Sequence, residues 1–298
     1  MSHFLAPVFQ TGFFDTPAVG RAILVGLLVA PLAGALGVFT VIRGQSFAGE
    51  ALGDIGTSGG SGAFLAGIGP LWGFLVATVA AAGAMELIGI QRARGRDLAT
   101  GIVLGAAVGI AALLLYLNTT VHDTTGAAVT VLFGSIFTVS AATIPLVLVL
   151  SALAAVAIAV IHRPLLLSTV SPEIAAARGV PVRAVGAAHL LALAVTMALC
   201  ALTIGAILAT ALLVGPPAAS LRLTNRPGRA VAVAGAIGTL TTWAGIVLAY
   251  DSYYWPPQHT GWPVSFFVVA LIFVVYLLSG LPGARQRVRA RRAIAAAA

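Results

Sequence analysis

Two acidic residues, Glu50 and Asp54, lie four positions apart in a small and apolar stretch of the sequence, SFAGEALGDIGTSGGSGAFLAG. In a helix this spacing places both carboxylates on one face. If the helix crosses a membrane, such costly groups usually face a cavity, a partner or a transported ion. Carboxylate oxygens alone favour magnesium, calcium or manganese over zinc, so the pair is a candidate transient cation site that identifies no metal. The structural alternative is that Glu50 sits at the membrane edge and Asp54 hydrogen-bonds to a neighbouring helix.

One histidine, His189, lies well inside a predicted helix. It could add a nitrogen ligand to a path or hydrogen-bond to a backbone carbonyl, and the sequence favours a core histidine. Three further candidates, His122, Asp123 and His259, fall in segments expected outside the membrane, where they could meet an incoming cation or a delivery protein. For these three we favour solvated loop residues.

The acidic pair shares its helix with glycines that let other helices pack very close: Gly49, Gly53, Gly56, Gly59, Gly60 and Gly62. The sequence contains no glycine-rich phosphate loop with its lysine and no Cys/His cluster with zinc spacing. We therefore expect the chain to bind no cofactor of its own and to hydrolyse no ATP, so that any energy coupling comes through a partner.

The elements that must position these residues follow from composition. Of the 298 residues, 60% are hydrophobic and 8% are charged, whereas about a quarter of the residues of a soluble domain are charged. Apolar windows of about 20 residues match the thickness of a bilayer. We predict one all-helical transmembrane domain, residues 1–298, with nine spans near 19–41, 47–68, 70–90, 99–117, 142–161, 183–202, 203–221, 230–250 and 263–281.

All sixteen basic residues are arginines, and nearly all fall in short segments between the apolar windows. The net charge of +8 therefore reports topology in a bacterial cytoplasmic membrane and does not indicate nucleic acid. The arginine-rich tail 282–298 is expected inside, and an odd number of spans places the N-terminus outside. Glu86 is expected to form an anchoring ion pair with Arg92 or Arg94.

The stretch GAAVTVLFGSIFTVS, residues 126–140, is too short to span and would invert the arginine pattern if it did. We predict a half-buried helix on the outer side. Broken backbone at membrane depth needs protein or a water-filled cavity over it, so the segment lies against a pathway mouth or is a plain interfacial helix.

The longest predicted inner loop contains SPEIAAARGVPV. Ser171 suits an N-cap, and Pro172 and Glu173 suit the first turn of a helix. Gly179, which precedes the next proline, is a typical helix end. A short, well-capped helix in this loop is what a docking element for a cytoplasmic partner requires.

Five segments occur in order along the chain: FTVIRGQSFAGEALGD, LFGSIFTVS, SPEIAAARGVPV, IGAILATALLVGPPAASLRL and HTGWPVSF. Together they resemble the permease family of the bacterial zinc, manganese and iron ABC importers, over about residues 19–281. The resemblance implies a second permease copy around a central path, two cytoplasmic ATPase subunits that use ATP and magnesium, and an extracytoplasmic substrate-binding lipoprotein. It also implies a coupling helix that docks in the ATPase groove and includes Ser171, Pro172, Glu173, Arg178 and Gly179.

One motif departs from the family pattern. Family members commonly read G-D-A-L-S-H-A where this chain reads GEALGDI, so Glu50 replaces an aspartate and Asp54 replaces a histidine. The exchange removes a borderline-soft ligand that suits zinc and puts zinc specificity in doubt.

The sequence thus predicts a permease subunit that imports manganese, zinc or iron by alternating access, with Glu50, Asp54 and His189 along the path. The same architecture carrying a metal chelate, haem or another organic cargo is an open alternative. An ion-driven secondary transporter is a second alternative, although inverted repeats and interrupted helices are not evident. A non-transporting membrane scaffold is a third, which the buried carboxylates argue against.

Overall fold

The computed structural model describes residues 12–88, 96–121, 126–134, 136–255 and 261–281, and these residues form helices and turns without a strand. In chain order the helices are α1 (Pro17–Ile42), α2 (Ser46–Leu65), α3 (Pro70–Ile88), α4 (Arg96–Val121), α5 (Gly126–Phe133), α6 (Ile144–Val170), α7 (Pro172–Ala177), α8 (Val182–Ile204), α9 (Ala206–Leu223), α10 (Pro227–Ser252) and α11 (Val264–Ser279). Two short 3₁₀ turns, Ile136–Thr138 and Ala141–Thr143, lie between α5 and α6.

Each predicted span coincides with one long helix, so the all-helical transmembrane fold is confirmed. Five helices, α1, α3, α6, α8 and α10, are long and apolar enough to cross a membrane. The apolar parts of α4, α9 and α11 are shorter, and the glycines, serines and carboxylates of α2 lower its hydropathy. The span count from the sequence is therefore approximate, while the positions of the helices agree closely.

The centre of the bundle is built from α1 and α8, most of whose residues are buried. Few residues of α6 are fully buried, which leaves an apolar surface such as Leu153 and Val160 for lipid. α2 packs against α3 and α4, while α1 packs against α9 and α10. Helices can approach closely because small residues line their contacts. At Gly34, for example, a methyl group would lie only 2.8 Å from the Ala234 carbonyl group in α10.

Several residues of the sequence analysis lie outside the described part of the chain: Arg92, Arg94, His122, Asp123, His259 and the tail 282–298. The expectations about their location and pairing stay predictions.

Candidate translocation site

A tight corner sets the position of α2, the helix of the acidic pair. Three residues, Arg43, Gly44 and Gln45, separate α1 from α2. Gly44 adopts a left-handed φ of +64°, which glycine tolerates best. The Gln45 amide then donates to the Thr40 carbonyl over 2.9 Å. The start of α2 is therefore tied directly to the last turn of α1.

One face of α2 consists of glycines pressed against α3, α8 and α9. A methyl group added to any of four glycines would lie within 3 Å of a neighbouring side chain, so these positions have no room for one without a shift. The pairs are Gly49 with Leu213 (2.6 Å), Gly53 with Met197 (2.9 Å), Gly56 with Thr78 (2.8 Å) and Gly60 with Phe74 (2.7 Å). Packing on this side leaves the carboxylates to the adjacent flank of α2, about 100° further around the helix.

Glu50 and Asp54 directly follow two glycines of the packed face, Gly49 and Gly53, and so lie on this adjacent flank. Glu50 is exposed and Asp54 is half-buried. Glu50 lines a groove of about 490 Å³ between α2, α9 and α11. Among the described lining residues Glu50 is the only charged one, and the walls are mainly apolar, with Val214, Ile272 and Phe273 among them.

Both carboxylates keep their oxygens available. No described residue donates a hydrogen bond to Glu50 or Asp54 or forms an ion pair with either. The two negative charges do lie close enough to act on each other. The hydrogen bond from Asp54 to a neighbouring helix, expected under the structural interpretation, is thus not formed by the described residues.

A single chain supplies only part of a metal site here. The described residues contain no group of three or more histidine, cysteine, aspartate or glutamate side chains that could hold a metal ion. Hard divalent cations take six or more oxygen ligands. The remaining ligands of a cation bound at Glu50 and Asp54 would be water, backbone carbonyls or groups of another chain.

The structure does not bring His189 to this groove. His189 is fully buried in α8, and its Nε2 atom lies 3.4 Å from the Thr40 hydroxyl. Thr40 directs its own proton to the Leu36 carbonyl over 2.9 Å, so the hydroxyl oxygen is the acceptor and His189 Nε2 the donor. The histidine thereby joins α8 to the C-terminal end of α1.

The predicted docking helix is present as α7. The Ser171 hydroxyl caps it by accepting from the Ile174 amide over 3.3 Å. Gly179 adopts a φ of +78°, which ends the helix. Pro172, Glu173 and Arg178 are exposed, and 53% of the Ile174 surface is open. The helix thus presents an apolar side chain flanked by charges, which is a suitable surface for a protein partner.

The segment that was predicted on the outer side forms the short helix α5 and a 3₁₀ turn, with Val131 and Ile136 fully buried. Gly134, which follows the end of α5 and has a φ of +69°, lies in backbone contact with Gly205, which has a φ of +87°. Gly205 is the single residue between α8 and α9. Sequence reasoning missed this junction, and the glycine in TIGAIL was the available signal.

A second feature missed in the sequence is a pair of side chains beside the groove. Arg222, at the end of α9, lies 3.7 Å above the ring of Tyr276 in α11. Its guanidinium also donates to the Tyr276 carbonyl over 3.2 Å and to the Tyr276 hydroxyl. Because Tyr276 lines the groove, this cation–π pair holds α9 and α11 together beside Glu50.

Comparison with known proteins gives consistent matches along the chain. The model of the ABC 3 transport family matches residues 15–280. The "Manganese transport system membrane protein MntC" of Halalkalibacterium halodurans is 28% identical over 247 residues, covering 81% of this chain and 84% of that protein. A protein of the same description from Listeria innocua is 24% identical over 247 residues, covering 83% and 85%.

Solved structures share the fold. A chain of "PsaBC from Streptococcus pneumoniae in complex with Fab" superposes with a TM-score of 0.77 at 20% identity, covering 94% of this chain and 95% of that one. An inward-facing transporter described as of the metal-chelate ABC type gives a TM-score of 0.71 at 16% identity, covering 92% and 88%.

Proposed function

The chain belongs to the ABC 3 transport family, and from this we propose that it moves a divalent metal cation across the cytoplasmic membrane as the permease subunit of an ATP-driven importer. Manganese is the favoured cargo among manganese, zinc and iron. The carboxylates of Glu50 and Asp54, which have no partner among the described residues, are the observation that carries this choice. Hard oxygen ligands suit manganese better than zinc.

As a permease subunit of this family the chain is a multi-pass membrane protein without its own ATPase. In the proposed assembly, cytoplasmic ATPase subunits use ATP and magnesium, and α7 is the coupling helix that they contact. An extracytoplasmic binding lipoprotein delivers the cargo. The C-terminus lies inside and the N-terminus outside, and the chain contacts lipid but no nucleic acid.

A second permease copy completes the path in this proposal. Glu50 stands on the outside of the single chain, in a groove whose walls are otherwise mainly apolar. A carboxylate at membrane depth is stable where it faces water, a counter-charge or another protein surface. Two copies that bring their α2 helices together would pool four carboxylates, and they would expose this site alternately to the two sides as the ATPases close and open.

Import of a metal chelate or another organic cargo is the second candidate. The groove beside Glu50 has a volume of about 490 Å³ and apolar walls, which is in the range of small-molecule sites. A larger and partly apolar cargo would use those walls as well as the carboxylates.

The test uses the permease purified with its ATPase and binding protein in nanodiscs. ATP hydrolysis is measured while manganese, zinc, iron and haem are titrated. We expect manganese to stimulate hydrolysis, and Asp54→Asn to raise the manganese concentration needed by about tenfold or more, because a ligand charge is lost. Asp15→Asn makes the same chemical change at an exposed carboxylate ahead of α1 and is expected to behave as wild type.

The other outcomes separate the candidates. Stimulation of ATP hydrolysis by haem alone favours the organic cargo. If the permease purifies without any ATPase subunit bound, ATP-driven import is contradicted.

A further inference from the structure

The corner between α1 and α2, residues 40–45, contacts both helices that hold α7. Helix α6 ends at Val170, directly before the Ser171 cap of α7, and α8 begins at Val182, shortly after α7 ends. Any displacement of α7 must therefore move the end of α6, the start of α8 or both. We term residues 40–45 the inner corner.

Arg43 joins the inner corner to α6. Its guanidinium donates to the hydroxyls of Ser168 and Thr169 over 3.1 and 3.3 Å. Both hydroxyls point their protons at the Leu165 carbonyl, so their oxygens are free to accept from Arg43. Ser168 is almost completely buried, which strengthens a hydrogen bond from a charged donor.

Thr40 joins the same corner to α8 through His189. The histidine lies two turns into α8 and is fully buried, so this contact cannot be replaced by bulk water. The two flanks of α7 are thus attached to one short segment, by a guanidinium nitrogen of Arg43 on one side and the imidazole of His189 on the other.

The inner corner in turn fixes α2. The Gln45 amide donates to the Thr40 carbonyl over 2.9 Å, and the Gly49 amide donates to the Gln45 carbonyl over 3.1 Å. Glu50 follows in the next position, one turn into α2. A short series of covalent bonds and hydrogen bonds therefore connects Ser171, at the start of α7, to Glu50 in the groove.

We propose that Arg43 is a positioning residue that transmits movement of α7 to α2, and so couples the ATPase cycle to the orientation of Glu50 and Asp54. The proposal rests on the proposed function, since it requires a partner that moves α7. Both hydrogen bonds come from one nitrogen, Nη1, whose N–H directions are fixed by the planar guanidinium. A lysine ammonium could reach the hydroxyls, but its flexible stem would hold α6 less firmly, so lysine should replace arginine only in part.

The first experiment measures metal imported per ATP hydrolysed, with the full complex in proteoliposomes and manganese as the probe. We expect Arg43→Gln to lower this ratio roughly tenfold, within the usual range of coupling between two sites, while basal ATP hydrolysis and assembly with the ATPase persist. Arg43→Lys should recover only part of the ratio. Arg163→Gln is the matched control, because Arg163 is an exposed arginine on α6.

A double variant covers the case in which Arg43→Gln does not fold. Ser168→Ala with Thr169→Val removes both acceptors and leaves Arg43 in place, and it should lower the same ratio. If these folded variants import as much metal per ATP as wild type, the proposal is overturned and the proposed function stands. If the wild-type chain recruits no ATPase, both fall.

The second experiment reports position and does not depend on the import rate. Spin labels are placed at Phe47→Cys on α2 and Ala176→Cys on α7, two exposed positions, in a Cys200→Ser background. In an otherwise wild-type complex we expect both labels to shift relative to a fixed label on α4 when ATP is trapped. With Arg43→Gln the α7 label should shift and the α2 label should not. A shift of both labels in the variant would show that Arg43 is only a structural anchor.

Discussion

At the scale of single residues, α2 must pack closely against its neighbours at its glycines and still keep Glu50 accessible. On one face, glycines at positions 49, 53, 56 and 60 allow neighbouring helices to approach to distances that no side chain would permit. On an adjacent flank, Glu50 lines a groove and Asp54 is half-buried. The close packing of the glycine face holds α2 in place while Glu50 stays exposed.

The packed face gives a prediction about stability. Gly60→Ala would place a methyl group 2.7 Å from the ring of Phe74, which is buried and cannot move easily. We expect a loss of about 1–3 kcal/mol, as for other overpacked cores. Thermal unfolding in nanodiscs, followed by tryptophan fluorescence, measures it.

Gly62→Ala on the same helix is the control for this prediction. The new methyl group would meet only Leu114, at an ordinary 3.6 Å. Alanine is the better helix former by about 1 kcal/mol, so equal or slightly higher stability is expected. Equal destabilisation by the two variants would contradict the packing argument.

At the scale of elements, α7 is a six-residue helix that gains little stability from its own length. Its Ser171 cap, Pro172 at the first position and Glu173 in the first turn favour the helix locally. Ala175 packs inward while Ile174 is left open to solvent. A single exposed isoleucine is common on protein surfaces, so Ile174 becomes a candidate contact because of the coupling role proposed for α7.

The expected partner of that surface is the ATPase. Ile174→Asp should abolish co-purification of the ATPase subunits, because it places a charge in an apolar contact, and it should leave the permease folded. Pull-down with a tagged ATPase measures this effect. Leu223→Asp, at a half-exposed position at the C-terminal end of α9, should retain binding. Loss of binding in both variants would show that docking is not specific to α7.

At the scale of the whole molecule, the single chain does not enclose its carboxylates. The groove beside Glu50 opens to the outside of the bundle between α2, α9 and α11. Lipid is a poor environment for a carboxylate. A second copy seated on this groove would exclude lipid and bring the two α2 helices together, as the proposed function requires.

Cross-linking tests this arrangement. Phe273→Cys, in a Cys200→Ser background, places a thiol on the groove wall. We expect a short bismaleimide to link two permeases in the membrane through this position. Val156→Cys lies at a similarly exposed position on α6, with 60% of the valine exposed against 59% for the phenylalanine, and should remain unlinked. Links at Val156 and none at Phe273 would place the interface on the opposite side of the molecule.

The sequence by itself determined the features that depend on local chemistry. Nine apolar windows predicted the long helices because a bilayer requires stretches of that length. The cap, proline and glycine of SPEIAAARG predicted α7, since those residues act within one turn. Five ordered motifs were enough to indicate the family, which the match over residues 15–280 then showed.

Only the tertiary structure decided which side chains meet. The left-handed Gly205 junction, the Arg222–Tyr276 pair and the contacts of Arg43 with Ser168 and Thr169 join residues that are distant in the chain or lie in separate helices. Helical periodicity states which residues share a face, but not which neighbouring helix covers that face. That choice depends on how glycines and bulky side chains fit together across the whole bundle, and it left Glu50 exposed, Asp54 half-buried and His189 in the core.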